Sequence, residues 1–104
     1  MSVEAALITY ETRLERFESR SERNRFYRGL YGYRRKVRRN EEVYRYEKPG
    51  LVGETDHLKV SDSVFIVRRE DLEKFRKYFE EWVGKVEHEI YMIELEDEEM
   101  LKDG

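Results

Sequence analysis

The sequence predicts an α+β domain: an antiparallel sheet of about four to five strands with two helices. Three observations predict it. An apolar stripe at helical spacing runs over residues 70–83. Apolar stretches suited to strands flank it at 63–67 and 86–95, and a hairpin pattern occupies residues 33–48. The length of 104 residues fits one domain, and residues 1–95 hold all of these elements.

The opening segment admits two readings. Val3, Leu7, Tyr10, Leu14 and Phe17 recur at spacings of four and three, a helical stripe that Ser2 would cap. Ala6, Ile8, Tyr10 and Thr12 alternate instead, which suits a strand. Ser19, Ser21 and Asn24 then offer a break and a fresh cap. A helix follows from about Ser21 to Tyr31, burying Phe26 and Leu30 and ending at Gly32.

Tyr33, Arg35 and Val37 alternate with Arg34, Lys36 and Arg38, and Val43 to Glu47 alternates again. Asn40-Glu41 is the turn between them, and Pro49-Gly50 closes the unit. Residues 50–62 read as a loop. Ser63 to Val67 is short enough for a buried strand. The helix from Glu70 to Val83 is expected to bury Leu72, Phe75, Phe79, Trp82 and Val83, and Gly84 ends it. Val86 to Leu95 is the last strand, with Ile90 and Met92 on one face and Tyr91, Ile93 and Leu95 on the other. Residues 96–104 form an acidic tail expected to fray. If the first segment is a strand, the order approaches the β-α-β-β-α-β, ferredoxin-like plan with an extra strand.

Composition limits the class. Charged residues make up 43% of the chain and apolar residues 38%. Disorder is nonetheless not expected, because the net charge is only −3, aromatics reach 13% and the apolar periodicities are clear. Without cysteine there is no disulfide framework. Glutamine is absent and only Asn24 and Asn40 represent asparagine, while Arg, Glu and Lys abound. That is the pattern of heat-adapted proteins, so a thermophilic source is expected. No targeting segment and no bilayer-length apolar stretch is read, so a cytoplasmic protein away from membranes is expected.

The near-neutral total conceals a separation of charge. Residues 20–48 hold eleven basic and four acidic groups, net +7; residues 87–104 hold one basic and eight acidic groups, net −7. In the basic segment, Arg25, Arg28, Arg34, Arg35, Lys36, Arg38 and Arg39 are interleaved with Tyr31, Tyr33, Tyr44 and Tyr46. Guanidinium groups grip phosphates bidentately, and tyrosines stack on unpaired bases. The pattern therefore points to a small DNA- or RNA-binding protein, regulatory or accessory, using a helix–hairpin surface. The plainer explanation is an ion-paired, solvated hairpin. The alternative function is a non-catalytic homo-oligomer, a homodimer in the simplest case, whose basic hairpin meets the acidic last strand of a second copy.

Other signals are weaker. Arg28-Gly29-Leu30-Tyr31-Gly32-Tyr33 resembles the core of an RNA-recognition motif, but Leu30 is an extra residue and Arg34 occupies a position that should be apolar. His57 sits among Glu54, Asp56 and Asp62 without metal-ligand spacing, and His88 is expected to face solvent or a partner. Paired carboxylates such as Glu80-Glu81 lie on helix or tail surfaces rather than in a pocket. No catalytic residue, metal ligand or cofactor motif is assigned.

Overall fold

The computed structural model describes residues 2–103, apart from the side chains of Arg35, Val37, Tyr46, Lys102 and Asp103. The first segment is a strand, β1 (Val3–Thr12). Helix α1 (Arg20–Tyr31) leads into a hairpin of β2 (Tyr33–Arg39) and β3 (Glu42–Lys48). A helical turn α2 (Gly50–Gly53), β4 (His57–Ser61), β5 (Val64–Arg68), helix α3 (Leu72–Glu81) and β6 (Val86–Leu95) complete the order. A final 3-10 turn covers Glu98–Asp103.

Four strands form one antiparallel sheet in the order β4-β5-β1-β6, and β2–β3 forms a separate two-stranded sheet. Without the hairpin, the connectivity is β1-α1-β4-β5-α3-β6, with β1 and β5 inside. That is the ferredoxin-like plan, carrying an insertion between its first helix and second strand. The insertion differs from the single extra strand expected. Residues 50–62, read as a loop, hold α2 and β4. The signal was faint because β4 is an edge strand with a bulge at Lys59/Ser61 and an exposed Val60.

The strand reading of β1 wins because its alternate residues serve two cores. Ala6, Ile8 and Tyr10 face the helices, joining Phe26, Leu30, Phe65, Val67, Leu72, Phe75 and Phe79. Ala5, on the opposite face, packs with Ile66, Leu95 and Leu101, and Leu7 and Ile93 flank them. A helix could not have supplied both faces of a sheet. In α1, Ser19 caps the start, its Oγ accepting from the Glu22 N–H at 3.1 Å. Phe26 and Leu30 are buried as predicted.

Helix α3 ends at Glu81, short of the predicted Val83. Leu72, Phe75 and Phe79 are buried and Trp82 is half-buried, but Val83 is 79% exposed. The chain leaves helical geometry at Trp82 (φ −110°, ψ 18°), so Val83 drops off the stripe. Two described residues of the acidic tail contact the body. Leu101 is fully buried, and Glu98 pairs with Arg68 at 2.6 Å, an arginine that also holds Asp56 at 3.1 Å.

The hairpin leaves and rejoins the body at one point. Gly32 (φ 82°) and Gly50 (φ 71°) press their backbones together. A Cβ on Gly32 would overlap the Lys48 carbonyl oxygen, and one on Gly50 would overlap the Gly32 nitrogen. Both positions need positive φ and zero side-chain volume, which only glycine supplies. At the tip, Asn40 and Glu41 have φ of 48° and 68°, the type I′ turn that suits strand twist. Every described side chain from Arg34 to Lys48 is exposed. The radius of gyration is 15.9 Å, against about 13 Å for a compact chain of this length; the projecting ribbon accounts for the excess.

Because the ribbon's ends meet, replacing Tyr33–Lys48 with a short glycine linker is expected to leave the four-stranded body folded. Thermal unfolding followed by near-ultraviolet circular dichroism checks this. A non-cooperative or absent transition would show that the ribbon supports the core.

Candidate nucleic-acid interface

Strand alternation and register sort the hairpin's charges. Arg34, Lys36 and Arg38 occupy one face of β2, opposite Glu47, Arg45 and Val43 of β3. Arg34 pairs with Glu47 at 3.2 Å. Lys36 stands directly across from Arg45. Like charges in such a cross-strand pair destabilise a hairpin. Among the described residues, no carboxylate lies within ion-pair reach of Lys36, Arg38, Arg39 or Arg45 (compare the pairs formed elsewhere). Arg45 was missed from sequence; only register shows that it shares a face with Lys36.

The other predicted residues divide. Arg25 lies over the Trp82 ring at 5.8 Å and pairs loosely with Glu22 at 3.9 Å. Arg28 lies over the Tyr33 ring at 5.5 Å. Both line an open groove of about 1060 Å³ between α1, the hairpin base and α3. Lys48, Lys74 and Lys77 line it too, but so do Glu18, Glu22, Glu54 and Glu81. Five cations against four carboxylates make the groove nearly neutral, so the strong positive field belongs to the ribbon. The side chains of Arg35 and Tyr46 lie outside the described residues.

The tyrosines do not act as one set. The hydroxyls of Tyr31 and Tyr10 share a hydrogen bond, and Tyr31 also donates to the Asp62 carbonyl at 3.1 Å. Burial raises the pKa of both phenols, so they stay neutral donors. The Tyr31 hydroxyl thereby ties α1 to the β4–β5 turn, while part of its ring stays exposed. Tyr33 is half-buried with Arg28 against its ring. Tyr44 is exposed, its hydroxyl donating to Glu42. Beyond the hairpin, Tyr78 donates to the Phe26 carbonyl above Gly29, where a Cβ would strike its hydroxyl. Burial pushes its pKa up to about 12.

His88, expected to face solvent or a partner, is half-buried and stacked on Phe79 at 4.8 Å. Burial first, and then Arg76, lower its pKa. It pairs with Tyr10 across β1–β6 and so faces the helices. No group of three or more His, Asp or Glu side chains suited to a metal ion occurs among the described residues.

These features define an α+β domain of ferredoxin-like connectivity bearing one exposed, cationic β-ribbon. No helix among the described residues is long and apolar enough to cross a membrane. No family model, curated protein or solved structure matches the chain.

The base of α1 is held by a different charge. Glu22 is almost covered, accepting from Lys85 Nζ at 2.6 Å and from the Glu18 N–H at 3.0 Å. The Lys85 hydrogen bond, then the Glu18 N–H, lower its pKa below the ordinary carboxylate value. A carboxylate with a lowered folded pKa contributes stability above its unfolded pKa and loses it as pH falls through the folded pKa. Glu22→Gln is therefore expected to lower the urea midpoint at neutral pH. The gap to wild type should close as pH drops below the usual carboxylate range. A gap that persists unchanged in acid would assign the loss to packing rather than charge.

Proposed function

We propose that this protein binds nucleic acid through the β2–β3 ribbon. The observation that carries the reading is the Lys36–Arg45 cross-strand pair, flanked by Arg38 and Arg39 with no carboxylate in ion-pair reach among the described residues. A folded protein gains nothing by setting like charges opposite each other on an exposed two-stranded ribbon, which is marginally stable in any case. A polyanion supplies the missing counter-charge, and phosphate oxygens are the partners that arginine forks fit best. Surface lysines and arginines also release condensed counterions from a nucleic acid, which makes binding strong at low salt. The DNA- or RNA-binding surface is thus narrower than the helix–hairpin patch read from sequence. Tyr31 leaves the set and Arg45 joins it.

Replacing Lys36, Arg38 and Arg39 together with glutamine is expected to weaken binding to any nucleic acid. Each cation lost from a phosphate contact flattens the plot of log K against log salt by about 0.9. The triple variant's slope should therefore fall by up to about 2.7, with thermal unfolding unchanged. Fluorescence anisotropy across a salt series measures it. Unaltered slope and affinity would remove this surface from consideration.

A second reading rests on a separate observation. Strand β6 lies at the edge of the main sheet and carries Glu87, Glu89 and Glu94 beside exposed Tyr91 and Met92. A second copy's ribbon complements that edge in charge. Sedimentation at low and high salt decides it: a dimer that dissociates with salt, without nucleic-acid affinity, favours this reading over the first.

A further inference from the structure

Resting on the nucleic-acid reading above, we infer that the ligand is double-stranded DNA and that the ribbon enters its major groove. Three features of the ribbon select that ligand. The first is shape. Two antiparallel strands of seven residues each project from the body with every described side chain exposed. At roughly 3.4 Å per residue, the ribbon reaches about 24 Å. The major groove of B-form DNA, about 12 Å wide and about 8.5 Å deep, admits a two-stranded ribbon. The major groove of A-form RNA is too narrow and deep for side chains to read.

The second feature is the supply of aromatic platforms. Binding of single strands relies on successive rings that stack on unpaired bases. Here Tyr31 is committed to Tyr10 and the Asp62 carbonyl, and Tyr33 lies against Arg28. Among the described side chains, Tyr44 alone is exposed away from such a partner, so the described ribbon offers one ring rather than a track. The third feature is the placement of the cations. Arg34, Lys36, Arg38 and Arg45 occupy a single face of the ribbon. Strand alternation sets successive residues of that face about 6.8 Å apart. A ribbon laid with this face toward the groove floor brings Lys and Arg to base edges, where guanine O6 and N7 accept bidentately. The same geometry places the outer cations beside the phosphates along the groove walls.

The test uses the full chain and fluorescence anisotropy at one salt concentration. Its probes are a DNA duplex, the RNA duplex of the same sequence, and one of its DNA strands alone. The DNA duplex is expected to bind about tenfold or more tightly than either of the others. Methylating guanine N7 in that duplex should weaken binding, whereas saturating the minor groove with distamycin should not. Lys36→Glu with Arg45→Glu should abolish the preference for duplex DNA while the variant's circular dichroism stays native. RNA duplex or single strand bound as tightly as duplex DNA would overturn the groove assignment and leave nucleic-acid binding standing. So would distamycin competition, or indifference to N7 methylation. Absence of binding to all three probes would overturn both proposals together. Should the double charge reversal disturb folding, Lys36→Gln with Arg45→Gln provides the same comparison with neutral side chains.

Discussion

The contact on which the rest depends is the meeting of two backbones at Gly32 and Gly50. Helix α1 ends where Gly32 takes positive φ, and α2 begins where Gly50 does. Because neither has a Cβ, the outgoing and returning chains touch. The intervening residues are thereby expelled as a ribbon and cannot enter the sheet. The body behind them keeps the connectivity β1-α1-β4-β5-α3-β6, which would be complete without the insertion. Gly29, one turn earlier in α1, lets the helix approach the Tyr78 hydroxyl of α3 closely enough for it to reach the Phe26 carbonyl. The same stretch of α1 therefore fixes both the helix packing and the point from which the ribbon projects.

This arrangement decides where the charges go. Among the described residues, no carboxylate of the acidic end pairs with a cation of the ribbon. Glu98 is held by Arg68, Glu87 by Arg13 at 2.6 Å, and Glu22 by Lys85. These are bonds within the body, several of them linking distant parts of the chain. On β6, acidic residues along an open sheet edge also discourage like-on-like pairing with a second β6, since the strand carries no cation to answer them. The separation of charge in the sequence thus survives folding, with the positive pole concentrated on the ribbon.

Much of the fold was legible because its signals were local. A short apolar run marked β5 and alternation marked β6, the stripe Leu72, Phe75 and Phe79 marked α3, and the Asn40-Glu41 turn marked the hairpin. The first segment resisted because Tyr10 satisfies both periods; only the second core around Ala5 and Leu101 decides for a strand. Leu101 itself was hidden among acids, a single apolar residue with no periodicity around it. At the candidate site, the individual cations were visible, but their grouping was not. That Lys36 meets Arg45 follows from register, and register follows from a turn geometry that sequence specifies only loosely. The tyrosines differ in a way that sequence does not show: Tyr31 and Tyr44 look alike there, yet one is tied to Tyr10 and the other stands on an open ribbon.

A ribbon exposed on both faces carries little hydrophobic stabilisation, since burial is what secures a hairpin. Its Arg34–Glu47 pair is exposed and contributes at most about 1 kcal/mol. Against this stands repulsion between Lys36 and Arg45, of the order of 0.2–1 kcal/mol by analogy with other cross-strand pairs. Both terms are small and opposed, so the ribbon's order rests largely on its I′ turn and its glycine-locked base. Any ligand that neutralises the cationic face removes the repulsive term and adds its own differential affinity for the ordered form. Binding and ordering of the ribbon are then one equilibrium. The body is largely exempt from it, because the chain enters and leaves the ribbon at a single point.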